Sequence, residues 1–448
     1  MSQYREPPNA WSMGIRYLAV VLVAAAAVVS CAKSEAPAGT ESKPVLALPE
    51  SVVLAEHAPP FYSLQESADG GQWIAVFADA ADLTLRLARG PLAAPQAAVD
   101  EVVTIDRIDL VPGINPYFGR HAYLQHAGLE HLFYADQELA DARVTKWIYR
   151  SLDSSDPWTV DLLPEPFVPV GVLPGTGSDS EHAGFTLFGL PGERAEQPAL
   201  AYEVRPALLA EHSAPIHAGD RSLPPDAAPT GAPDAPGPAL SPFHCAGRYG
   251  FSLFDAAGLL VVEDGHDGLR VELPGRPPEL PPPPLSVACS SRELLVVAYA
   301  RDDRTAQETS DGAARGAHEI VAVTVDHSGA IGPERKITLA REVHALAAFP
   351  DQGEADATHP TLTVLFSELA LGESGDPEYR LSLVLPGAEG SYRKLILARG
   401  GEPVQEARAL RAGGRMAVLY RRANQLRLLL ADVAPPPANA GSQSAGGW

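Results

Sequence analysis

Arg415-Met416-Ala417-Val418-Leu419-Tyr420 leads through Arg421-Arg422-Ala423-Asn424 into Gln425-Leu426-Arg427-Leu428-Leu429-Leu430. The first run is almost wholly apolar and the second alternates, with turn residues between them. That combination predicts a β-hairpin. A strand with no polar face has to be covered on both sides, whereas an alternating strand shows one face to water. The same unit recurs upstream. Gln72 to Ala78 with Asp79 precedes Leu83 to Leu87, and Glu130 to Ala135 with Asp136 precedes Val144 to Tyr149. Glu293 to Ala300 with Arg301-Asp302 precedes Ile320 to Asp326, and Thr361 to Phe366 precedes Tyr379 to Leu385. Helical periodicity is nearly absent.

Strand repeats of about 40 to 60 residues point to a β-propeller. The expected fold is all-β, with about seven four-stranded blades. The units around Phe185 to Val204 and Phe251 to Leu273 are irregular. The last unit supplies three strands, near Ala407 to Leu410, Arg415 to Tyr420 and Leu426 to Leu430. The isolated run Ser51 to Ala55 is therefore expected to complete that sheet and close the ring, which removes an exposed edge. The alternative is a pair of tandem β-sandwich domains divided at the Pro-rich segment 206–242. That segment cannot enter a sheet interior and reads as an insertion or spacer. A second proline stretch, Arg276 to Pro284, reads as polyproline II.

Upstream of the repeats, Arg16 precedes thirteen apolar residues, Tyr17 to Val29, and then Ser30-Cys31. Thirteen residues are too few for a membrane-spanning helix, which needs about 20, but they suit a signal segment. A basic residue, an apolar run and a small residue before one cysteine resemble a bacterial lipoprotein signal peptide. The resemblance implies cleavage between Ser30 and Cys31 and acylation of Cys31, with palmitate among the chains. Ala32 after the cysteine leans toward the outer membrane, on its periplasmic or surface face. The domain plan is then a signal peptide over 1–30, a tether over 31–48, the propeller over 49–433 and a disordered tail over 434–448. The tether has almost nothing to bury and cannot offset the cost of ordering its backbone.

Net charge is −22 with 56 acidic residues, and no cluster of Lys and Arg is present. Nucleic acid is excluded as a partner on that ground, since phosphate contacts need clustered cations. With Cys31 assigned to lipid, Cys245 and Cys289 remain, an even pair and a candidate disulfide in an exported protein.

Motifs that carry chemistry are sparse. Ser151-Leu152-Asp153-Ser154-Ser155-Asp156-Pro157-Trp158 resembles a degenerate Asp-box of sialidase-type blades, matching at Ser151, Asp153 and Trp158. In that family the motif is a structural turn away from the active site. A sialidase also needs an arginine cluster and a Tyr–Glu pair, whose grouping a sequence does not reveal. His121, His126 and His131 are spaced by five, which puts successive residues on opposite faces of one strand, so no metal site is expected. Glu263 to Gly268 and Asp351 to Asp356 read as solvated turns lacking the ligand order of a calcium loop. Trp73, Trp147 and Trp158 read as packing residues. No nucleophile elbow, phosphate loop or zinc motif occurs, and no cofactor is expected.

The expected function is a lipid-anchored envelope protein with a non-catalytic binding face for a glycan or protein partner. The loops near Asp79, Asp136 and Asp302 are the first place to look, although those acids also suit turn capping. The alternatives are a glycosidase or lyase on the same scaffold and an outer-membrane assembly factor. The lipoprotein propeller of barrel assembly carries Ala-Leu-Asp-x-x-Thr-Gly-type repeats that this chain lacks.

Overall fold

A computed structural model describes residues 48–433 with breaks, the longest at 205–240, 303–316 and 351–360. Chain contacts divide residues 1–47 from 48–448 as two units. The signal and tether expectations, Ser30 and Cys31 included, lie outside the described residues, as does the tail from 434.

The described residues form β-strands and no helix. After β1 (Ser51–Ala55), the first sheet joins β2 (Tyr62–Glu66), β3 (Gln72–Asp79), β4 (Thr84–Pro91) and β5 (Glu101–Arg107). The second joins β6 (His121–His126), β7 (Leu129–Gln137), β8 (Thr145–Ser151) and β9 (Trp158–Thr159). A third, of three strands, holds β10 (Phe167–Thr176), β11 (Ala183–Pro191) and β12 (Leu200–Val204). In the fourth are β13 (Ser241–Cys245), β14 (Arg248–Asp255), β15 (Gly258–Glu263) and β16 (Leu269–Val271). The fifth holds β17 (Leu285–Cys289), β18 (Leu294–Asp302), β19 (Ala317–Asp326) and β20 (Arg335–Arg341). The sixth holds β21 (Ala345–Pro350), β22 (Leu362–Leu371), β23 (Pro377–Pro386) and β24 (Tyr392–Gly400). Last come β25 (Val404–Ala412), β26 (Arg415–Arg422) and β27 (Gln425–Asp432), and β1 adds to β27 as the fourth strand of this seventh sheet.

Every pairing among these strands is antiparallel between consecutive strands, except that β1 crosses from the start of the chain to its end. Ser51, Val52 and Val53 face Leu429, Leu428 and Arg427. The apolar strand of each hairpin is the second strand of its sheet, not the first. It is buried on both faces because a neighbouring sheet covers each. In β3, Trp73, Ala75 and Phe77 join Leu419, Leu426 and Leu428 of the seventh sheet, while Ile74, Val76 and Ala78 join Leu132 and Tyr134 of the second. β26 repeats the arrangement, sending Ala417 and Leu419 toward the first sheet and Met416, Val418 and Tyr420 toward the sixth. Burying a large apolar side chain contributes roughly 1.5–3 kcal/mol, so these intersheet cores carry most of the favourable term.

The first strands touch in order except at the third-to-fourth junction, where the second strand β14 takes the place of β13. β2 meets β6, β6 meets β10, and β10 meets β14; β13 meets β17, β17 meets β21, β21 meets β25, and β25 meets β2. No helix among the described residues is long and apolar enough to cross a membrane.

Candidate functional site

The start of β2 lies between two polar groups. Direct pairing sets its faces: Tyr62 opposes Phe77 and shares the face toward the seventh sheet, whereas Ser63 opposes Val76 and shares the face toward the second. In β25, Glu406 opposes Arg421 and Arg408 opposes Leu419, which turns all three toward the first sheet. Tyr62, Glu406, Arg408 and Arg421 therefore meet in the wedge between the seventh and first sheets.

Tyr62 is only 6% exposed. Its hydroxyl lies against the Arg421 backbone without a hydrogen bond of ordinary geometry. Burial, with Glu406 nearby, raises the phenol well above its usual range. Glu406 accepts from Arg408 Nη2 at 3.0 Å, with side chains 29% and 36% exposed respectively. The surrounding chain removes most bulk solvent from this carboxyl and raises its pKa, and Arg408 and Arg421 only partly offset that. Arg421 Nε is buried without a hydrogen-bond partner. On the opposite face of β26, turned toward the sixth sheet, Nε and Nη2 of Arg422 are also buried without a hydrogen-bond partner, and its Nη1 donates to the Arg399 carbonyl at 2.7 Å. Burial lowers the Arg422 pKa. An unpaired buried donor costs about 1–3 kcal/mol, so the wedge at Tyr62 and Arg421 holds unused capacity for acceptors.

On the other face of β2, Ser63 Oγ and His121 Nε2 are 3.0 Å apart, and His121 Nδ1 is 2.8 Å from the Gly119 carbonyl. The carbonyl can only accept, so Nδ1 carries the proton and Nε2 accepts from Ser63. Burial pulls the His121 pKa down to about 4, so the ring is neutral at pH 7. Gln65 Nε2 donates to the Tyr123 carbonyl at 3.0 Å, which ties β2 to β6.

The residues singled out by sequence do not converge. His121 lies at the start of β6 and His131 in β7; the His126 side chain lies outside the described residues. His131 is buried with its Nδ1 2.7 Å from the Tyr149 hydroxyl. No group of three or more potential metal ligands occurs among the described residues. Asp79 accepts from the Ala81 amide at 3.0 Å and pairs with Arg86 at 3.5 Å, and Asp136 accepts from the Asp109 amide at 2.7 Å. Asp79 caps the turn after its own strand, whereas Asp136 holds the chain that follows β5 of the first sheet. The Asp302 side chain and the acidic turns at 264–268 and 351–356 lie outside the described residues. Ser151 and Trp158 sit at the ends of β8 and β9, so the Asp-box-like stretch links the third and fourth strands of its sheet, with 153–157 undescribed. Trp73 is fully buried in the core between the seventh and first sheets; the side chains of Trp147 and Trp158 are not described.

An open depression of about 430 Å³ lies between the fifth and sixth sheets, lined by Arg341, Glu368, Leu371, Arg380 and Lys394 among others. Most of its charge is already used. Lys394 and Ser382 bind Glu368 at 2.6 and 2.7 Å, and Arg380 pairs with Glu378 and donates to the Leu371 carbonyl.

No family model matches the chain and no curated protein matches it. Among solved structures it is similar to a mutant of NanB sialidase from Streptococcus pneumoniae, at 10% identity over 86% of this chain and 70% of that one, TM-score 0.38. Polysaccharide lyase Uly1 matches at 9% identity over 83% and 89%, TM-score 0.41. A mutant Aleuria aurantia lectin in complex with alpha-methyl-L-fucoside matches at 10% identity over 71% and 97%, TM-score 0.35. These scores are too low for the likenesses to bear on fold or function, which rest on the sheets and side chains themselves.

Proposed function

We propose that the seven sheets are the blades of a β-propeller closed by β1, and that its axial end binds a glycan without chemical turnover. The body is held at the cell envelope, at the outer membrane, by lipid on Cys31. Two features support the propeller: second strands covered on both faces, and sheet-to-sheet contacts that run from β2 round to β2 again, through first strands at every junction but β10–β14. The lipid anchor is supported by the signal-like sequence from Arg16 to Cys31.

The observation that carries the ligand class is the two unpaired buried donors at Tyr62 and Arg421, beside the half-buried Glu406–Arg408 pair. Oligosaccharides present dense arrays of hydroxyl and carboxylate acceptors, and planar guanidinium groups suit carboxylates. The net charge of −22 disfavours polyanions that need a wide basic surface, which leaves a short acceptor-rich segment.

Isothermal titration against neutral and uronate-containing oligosaccharides tests the reading. It predicts saturable binding that weakens at least about tenfold in Arg421→Ala, one lost charge-assisted bond being worth about 1.5–3 kcal/mol. Binding that is unchanged in Arg421→Ala and Tyr62→Phe, or absent across the panel, would contradict it. One observation favours a glycosidase as second reading, since the raised Glu406 carboxyl has the character of a general acid. Release of reducing ends by wild type but not by Glu406→Gln would decide for that reading.

A further inference from the structure

We infer that Cys245 and Cys289 form a disulfide that joins the fourth sheet to the fifth. Each is the last residue of the first strand of its sheet, Cys245 in β13 and Cys289 in β17, and these two strands are in contact.

The register places the two positions on facing sides. Cys245 opposes Arg248, and two residues along each strand the pairs continue with Phe243 and Gly250, then Ser241 and Ser252. Ser252 in turn opposes Val261, so all these positions share one face of the fourth sheet. Val261 and Leu259 belong to the core shared with the fifth sheet, which makes this the face turned toward β17. In the fifth sheet Cys289 opposes Leu295, Val287 opposes Val297 and Leu285 opposes Tyr299. Leu295, Val297 and Tyr299 belong to the same shared core. Cys289 therefore lies on the face turned toward the fourth sheet. Directly paired residues share a face because side chains alternate with period two along a strand. Two cysteine positions at matching ends of touching strands, on opposed faces by register, are the backbone placement from which a disulfide can join the sheets.

The reaction is a thiol–disulfide exchange. The two thiols release two protons and two electrons, an S–S bond forms between them, and the disulfide of an exchange partner is reduced to two thiols. In the cell the partner is the disulfide oxidant of an oxidising compartment, a location that rests on the envelope reading above. Glutathione disulfide replaces it in vitro, so the geometry is tested apart from the address.

The full chain, equilibrated in a glutathione redox buffer, is unfolded, alkylated and digested without reduction. The expected product is a peptide holding Cys245 joined to one holding Cys289, with neither sulfur alkylated until reductant is added. Alkylation of both without reductant, or either joined to Cys31 or to glutathione alone, overturns the inference. Single Cys245→Ser and Cys289→Ser variants should each lower Tm by about 3–5 °C and the double variant by no more, because all three remove one bond. Additive losses count against it. Peptide mapping of the native sequence decides even if a variant does not fold.

Discussion

His121 and Glu406 give the site its pH dependence in opposite senses. Burial holds the His121 pKa down at about 4, below the ordinary value of 6.5. The unfolded chain therefore takes up this proton first as pH falls. The contribution from a neutral His121 is complete above pH 6.5 and is lost between 6.5 and 4, with a limit of about 3 kcal/mol. Thermal melts at pH 7 and pH 4.5 should show a smaller acid loss in His121→Asn than in the native chain; equal losses would mean that the ring is not the titrating group. Glu406 runs the other way. Its raised pKa favours the protonated form in the fold, so its contribution is present below its ordinary value and lost as pH rises through the raised one. Glu406→Gln keeps the neutral form throughout, so its melting temperature should exceed the native value at pH 8 and match it near pH 4. A fall at pH 8 would mean that the Arg408 pair outweighs desolvation. None of this was legible in the sequence beyond His121 as one of three spaced histidines. Tyr62 on one side of the wedge and Glu406 and Arg421 on the other are more than 340 positions apart, and only the β25–β2 contact brings them together. The one local sign was a pair of charges, Glu406 and Arg408, on the same face of an otherwise apolar-patterned strand.

At the scale of elements, the second strands were the readable part. Gln72 to Ala78, Arg415 to Tyr420 and their counterparts are long, apolar and bounded by turns; the structure extends the first two by a residue or two and Thr361 to Phe366 as far as Leu371. Outer strands were hard to see. β5 has four exposed residues at its start, Glu101 to Thr104, so no apolar period marks it. The placement of Ser51 to Ala55 beside the last repeat was readable, and its pairing with β27 follows that expectation. Deleting residues 48–55 should leave the β27 edge open, lower Tm and promote self-association seen by light scattering. A monomer with native Tm would show that β1 contributes nothing to the edge. Gly90 in β4 is a sharper test of the packing around Trp73 within the first sheet. A Cβ there would lie 2.1 Å from the Ala98 carbonyl oxygen and 2.7 Å from the buried Trp73 ring. Gly90→Ala should cost about 2–3 kcal/mol by overpacking, read from denaturant midpoints at constant m-value. No change would mean that the β4–β5 connection gives way freely.

For the whole molecule, the repeat period carried more information than any motif. Hairpins at near-regular spacing required sheets that stack face to face, and the double burial of β3 and β26 meets that requirement with a different neighbour on each side. The absence of sharp motifs has a physical reason in this arrangement. A site assembled from β2 of one sheet and β25 and β26 of another takes a few residues from each, so no continuous stretch records it. The central claim is that the sheets form one ring of seven with its polar corner at β25 and β2. A crystal structure of the full chain in complex with the tightest oligosaccharide from the titration tests this most directly. The account predicts seven blades about one axis, β1 beside β27, and the sugar in contact with Tyr62 and Arg421. Two separate sandwiches, or a sugar bound on the outer strands, would contradict it.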